Sequence, residues 1–130
     1  MSKIIHSDTV RQLAKSGDII ASEITGGEAH MLHMAVGISG EAGELLDAIK
    51  KATIYKNQWY ALNFQHNGMP VIDRENVVEE LGDLEFYMEG LRQGLYITRE
   101  ETLDANIAKL GVRYKHGYSD QAAHDRADKL

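Results

Sequence analysis

Polar and apolar positions along most of this chain recur with the period of an α-helix. Over Ser7–Ser22, Val10, Leu13, Ala14 and then Ile19 to Ala21 fall near helical spacing, with Gly17 weakening the middle of one predicted first helix. The pair Gly26-Gly27 reads as a break. From Glu28 to about Lys56, Leu32, Met34, Ile38, Leu45, Ile49 and Ala52 share one side of a second helix. A third runs from about Arg74 to Gln93 and stops near Gly94. Thr98 then serves as an N-cap, with Glu101 completing a capping box, and a fourth helix runs to about Tyr114. The single proline, Pro70, interrupts none of them. It lies in Asn57–Asp73, where the pattern changes: Trp59, Tyr60, Leu62 and Phe64 precede His66-Asn67-Gly68, and Met69, Val71 and Ile72 follow. Asn-Gly between two apolar runs predicts a small β-hairpin or ordered loop, with Pro70 suited to an edge strand. Lys115–Leu130 is polar and rich in Asp, His and Ala, a tail or a weak short helix. The expected fold is all-α: a four-helix bundle in residues 1–118, a hairpin-like insertion at 57–73, and a polar tail at 119–130.

Acidic residues break the apolar stripes. With about 100° between successive helix residues, Met34, Ile38, Leu45, Ala48, Ile49 and Ala52 all fall within roughly 80° of Glu41. Glu41 therefore sits in mid-stripe, and Glu44 on its edge. On the third helix Val77, Leu84, Tyr87, Met88, Leu91 and Leu95 cluster in the same way around Glu80, with Asp83 at the edge. Two helices thus each aim an acidic i, i+3 pair at a helix–helix interface, where ionised carboxylates require charge partners or a metal. Oxygen donors of this kind suit hard divalent cations such as Mg²⁺. On the fourth helix Asn106, Lys109 and Arg113 share a face, an amide, an ammonium and a guanidinium suited to phosphate oxygens. Acid, metal and base together point to a polyphosphate ligand. The competing structural explanation is a buried salt-bridge network joining Glu41 or Glu80 to Lys109 or Arg113. His30 and His33 read as packing or surface groups, and Trp59, Tyr60 and Phe64 as hairpin packing sooner than a base-stacking platform. Lys50 and Lys51 suit the negative end of the second helix in any case.

Composition narrows the partners. One hundred and thirty residues with 43% hydrophobic and 26% charged content make one globular domain, neither disordered nor fibrous. Fourteen Lys and Arg against 20 Asp and Glu leave a net charge of −6, which argues against a duplex nucleic-acid surface. Phosphates held through a metal ion remain open to an acidic protein. No cysteine is present, so disulfides, thiolate zinc sites and a cysteine nucleophile are excluded. No apolar run approaches the ~20 residues that span a bilayer, and Met1–Arg11 lacks a signal-peptide core. The expectation is a cytoplasmic protein away from membranes. A carboxylate di-iron bundle needs Glu-x-x-His pairs, and no Glu stands three residues before a His.

Glu41-Ala-Gly-Glu44 followed by Glu79-Glu80-Leu-Gly-Asp83 resembles the paired ExxE and ExxD motifs of the all-α nucleoside triphosphate pyrophosphohydrolases. Gly37-Ile-Ser-Gly-Glu-Ala-Gly-Glu-Leu45 and Asn106-Ile-Ala-Lys-Leu-Gly-Val-Arg-Tyr114 look most like the small MazG-like members, relatives of dimeric dUTPases and phosphoribosyl-ATP pyrophosphohydrolases. The resemblance spans roughly Glu28 to Tyr118. It implies Mg²⁺-dependent cleavage between the α and β phosphates of a nucleoside triphosphate, with Mn²⁺ as a substitute. It further implies that Glu41, Glu44, Glu80 and Asp83 hold metal, that Glu41 activates water, and that Asn106, Lys109, Arg113 and Tyr114 contact the nucleotide. A homodimer or homotetramer is implied as well. The alternative is a module on the same fold that binds nucleotide or a protein partner without turnover. The family's two motifs usually flank a short connection, whereas here Leu45–Glu79 separates Glu44 from Glu80 and includes the insertion.

Overall fold

A computed structural model describes residues 5–55 and 72–129. Among them the chain is all-α: α1 (His6–Leu13), α2 (Gly17–Glu23), α3 (Gly26–Thr53), α4 (Arg74–Gly94), α5 (Arg99–Arg113), α6 (Asp120–Asp125) and a closing 3₁₀ turn at Ala127–Lys129. The expected hairpin at 57–73 lies almost wholly outside the described residues. None of the described helices is long and apolar enough to cross a membrane.

Three boundaries differ from the sequence expectation, each for a local reason. The predicted first helix is two, because Ala14 and Ser16 both take extended ψ values of 125° and 137°. Gly17 then opens α2 behind a serine, and Asp18 complements the positive end of the new helix dipole. Gly26-Gly27 does not break the chain but forms the first turn of α3. Thr25 accepts the Glu28 N–H at 3.2 Å while the Glu28 carboxylate accepts the Thr25 N–H at 2.8 Å, a complete capping box. First-turn residues have no intrahelical acceptor for their N–H groups, so the cap outweighs the glycines' low propensity. At the other end, α4 includes Gly94 and is stopped by Tyr96, whose φ of +56° is left-handed. Ile97 N–H reaches the Arg92 carbonyl at 2.9 Å and Tyr96 N–H the Gln93 carbonyl at 3.2 Å, a Schellman ending with tyrosine where glycine is usual. Thr98 caps α5 by accepting the Glu101 N–H at 3.0 Å.

The packed unit is the antiparallel pair α3–α4. His30 meets Gly94, Met34 meets Gly90, and Gly37 meets Tyr87, so the seam advances in alternating steps of four and three on both helices. Each glycine admits a neighbour that a methyl would displace: a Cβ on Gly94 would lie 2.8 Å from the His30 ring. His30 Nε2–H also donates to the Gly90 carbonyl at 3.0 Å, and the His33 and Tyr87 rings meet edge-on at 6.1 Å. Both histidines thus serve the helix contact.

Among the described residues there is little interior around the seam. Met34 is the buried hydrophobic residue and Arg92 the buried charged one among the described residues. Arg92 Nη2 is held by the Glu89 carboxylate at 2.9 Å. Leu32, Val36, Leu46, Phe86 and Ile107 are all more than half exposed. Residues 115–129 return to α5, where Asp128 in the 3₁₀ turn clasps Arg113.

Candidate functional site

Continuing the seam past Gly37 and Tyr87 by the same steps sets Glu41 opposite Asp83 and Glu44 opposite Glu80. Two consecutive layers of the helix contact are therefore acidic. Carboxylate oxygens of Glu41, Glu44 and Glu80 lie within 4.8 Å of one another. Glu41 and Glu80 are half-buried and Glu44 and Asp83 exposed, which follows from mid-stripe and stripe-edge places on the two helices.

Electrostatics mark the cluster as uncompensated. Burial pushes the Glu80 carboxyl above the ordinary carboxylate range, the charges of Glu44, Glu41 and Asp83 push it further, and a hydrogen bond shared with the Glu44 carboxyl acts in the same direction. Burial raises Glu41 in the same sense, with Glu44 and Asp83 adding to it. Among the described residues, Oε2 of Glu80 is buried without a hydrogen-bond partner. A buried orphan acceptor among like charges is costly, and a divalent cation on oxygen ligands would relieve it. The donor set fits that group: Glu41, Glu44 and Glu80 could share one ion, with Asp83 in the adjoining position of the seam.

The basic face is elsewhere. Asn106 and Lys109 are exposed on α5, whose main packing partner is the C-terminal 3₁₀ turn and not the α3–α4 pair. Arg113 donates through Nε and Nη2 to the two Asp128 oxygens at 2.6 and 3.0 Å. That pairing holds the Asp128 carboxyl down to about 2. Tyr114 caps α5, its ring against Tyr118 with centroids 5.6 Å apart. The competing salt-bridge network is absent among the described residues, since Arg113 is taken by Asp128 and Glu80 keeps an orphan oxygen. One chain thus assembles the acids and leaves Asn106, Lys109, Arg113 and Tyr114 apart from them.

Beside the acids opens a cavity of about 450 Å³ that sequence reasoning missed. Glu44 and Glu80 border it, Gly40, Gly43 and Ala48 give it room, and Asp47, Lys51 and Asn76 supply polar walls. Lys51 Nζ binds the Asp47 carboxylate at 2.6 Å, which lowers the Asp47 pKa and raises that of Lys51. The signal was available: the next steps of four from Glu44 and Glu80 fall on Ala48 and Asn76.

The chain matches the model of the MazG nucleotide pyrophosphohydrolase domain over residues 30–118, well over half its length, and it belongs to that family. No curated protein and no solved structure matches it. The matched span holds both acidic layers, the cavity and α5. Members of the family typically use a divalent metal.

Proposed function

We propose that the protein is a cytoplasmic, Mg²⁺-dependent nucleoside triphosphate pyrophosphohydrolase that cuts ribo- or deoxynucleoside triphosphates between the α and β phosphates. The observation that carries this reading is the pair of facing acidic layers with the orphaned Glu80 oxygen. Glu41, Glu44, Glu80 and Asp83 would hold Mg²⁺, or Mn²⁺ in its place. Bound there, the ion supplies Lewis-acid neutralisation of phosphate charge and makes water easier to deprotonate. Glu41 takes the proton of the attacking water. The water oxygen joins phosphorus, the α–β bridging bond breaks, and pyrophosphate leaves the monophosphate.

Asn106, Lys109, Arg113 (through Nη1, since Asp128 holds Nε and Nη2) and Tyr114 contact the nucleotide in this reading, and a second copy of the chain brings them to the acids. Support comes from the exposed apolar side chains on α3, α4 and α5, which one chain leaves uncovered. A homodimer or homotetramer covers them.

The test replaces Glu41 or Glu80 with Gln and follows monophosphate release with Mg²⁺. Turnover should fall by at least about a hundredfold with helical content unchanged, the scale at which losing a catalytic base shows. Either variant retaining wild-type turnover would remove the site assignment.

A further inference from the structure

The cavity has three polar side chains outside the acidic layers: Asp47, Lys51 and Asn76. The seam explains why they meet. Ala48 and Asn76 form the layer after Glu44 and Glu80, and a methyl facing an amide leaves space that larger side chains would fill. Gly40 and Gly43 widen it. The resulting 450 Å³ lies within the range of small-molecule pockets.

Away from Glu44 and Glu80, which would face the ion, the cavity's charged groups are Asp47 and Lys51, and they balance one another, so that end suits a neutral, hydrogen-bonding group. A carboxylate only accepts hydrogen bonds. With one Asp47 oxygen on Lys51 at 2.6 Å, the remaining lone pairs accept from whatever enters. The Lys51 ammonium and the Asn76 amide provide the neighbouring donors.

We propose that this cavity is the nucleobase subsite and that Asp47, anchored by Lys51, selects bases carrying an exocyclic amine over keto-only bases. This rests on the nucleotide reading above. The amine of adenine, cytosine or guanine donates to Asp47, while Lys51 or Asn76 donates to the adjoining ring nitrogen or carbonyl. In uracil and thymine a carbonyl stands where cytosine carries its amine, so a base held in the same placement sets an acceptor against the carboxylate and that hydrogen bond is lost. Hydrogen bonds to charged groups carry about ten- to a hundredfold in affinity.

The experiment compares cytidine with uridine triphosphate, and adenosine with inosine triphosphate; in each pair a carbonyl replaces the amine and the neighbouring ring nitrogen turns from acceptor to donor. Monophosphate release with Mg²⁺ gives kcat/KM, and calorimetry with the non-hydrolysable α,β-methylene cytidine and uridine triphosphates gives binding without turnover. The amine-bearing partner should win by about tenfold or more in both readouts, and Asp47→Asn should bring the ratio within about threefold. A wild-type ratio within threefold in the binding experiment, or a ratio unmoved by Asp47→Asn, would overturn the proposal. Wild-type protein that ranks the analogues as expected yet releases no monophosphate would instead overturn the pyrophosphohydrolase reading.

Discussion

Gly37→Ala tests whether the close approach of α3 and α4 is what gathers the carboxylates. In an open helix interior the change would add roughly 1 kcal/mol of stability through helix propensity. Here the new Cβ would overlap three carbons of the Tyr87 ring, far inside the ~3.5–4.0 Å at which carbons touch. Tyr87 has little freedom to withdraw, being half-buried and packed edge-on against Phe86 with centroids 5.2 Å apart. Overpacking costs typically about 1–3 kcal/mol, and overlap with a rigid ring belongs at or beyond the upper end. The net expectation is a loss of about 2 kcal/mol. For a domain of this size that corresponds to a fall in Tm of roughly 6–10 °C. Gly82→Ala on α4 is the control, since nothing among the described residues lies within 4 Å of its Cβ and it should gain up to about 1 kcal/mol. The assay is thermal unfolding at fixed protein concentration, with and without Mg²⁺. Separating the helices should also shrink the rise in Tm that Mg²⁺ produces. Gly37→Ala melting at or above wild type, with the Mg²⁺ response intact, would refute the seam and the positioning argument built on it.

Other consequences can be checked separately. Because the Glu41 and Glu80 pKa values are raised, the metal-free protein is favoured below the ordinary carboxylate pKa. It should lose stability as pH climbs from about 4.5 through the raised values, Mg²⁺ should restore it, and Glu80→Gln should reduce both effects while leaving the part that Glu41 contributes; pH-dependent melts read all three. Asp128, depressed to about 2, contributes stability that is present above its unfolded pKa and lost as pH falls towards 2. The Arg113 Nε–H resonance should therefore stay protected at pH 4 and exchange freely near pH 2, whereas Asp128→Ala should expose it throughout. Tyr96→Gly should raise Tm, since the left-handed position costs a non-glycine residue about 1 kcal/mol or more. Sedimentation equilibrium should return a dimer or larger species, and a monomer at high micromolar concentration would contradict the shared-site reading.

Much of the site is legible in the helical stripes. Glu41 and Glu80 fall in mid-stripe and Glu44 and Asp83 at the edges, and their burial follows that order. The face of a helix is encoded locally by periodicity, so this much needs no partner. What a face meets is less accessible. The basic face of α5 is visible in the sequence, yet nothing in its spacing says that Arg113 is taken by Asp128, fifteen residues on. Glycine is ambiguous for a physical reason. At Gly26 and Gly27 it is tolerated by a strong cap, while at Gly37, Gly90 and Gly94 it gives room to a side chain of the opposing helix. The cavity polar groups were individually unremarkable: Lys51 reads as a dipole cation until the four-and-three register brings Asn76 alongside Ala48.

The most direct test incubates purified protein with Mg²⁺ and a set of ordinary, deoxy and modified nucleoside triphosphates and resolves the products by phosphorus NMR. Equal amounts of nucleoside monophosphate and pyrophosphate, with none formed in excess chelator, is the predicted result. Nucleoside diphosphate with orthophosphate, or chelator-sensitive binding without any turnover, would contradict it.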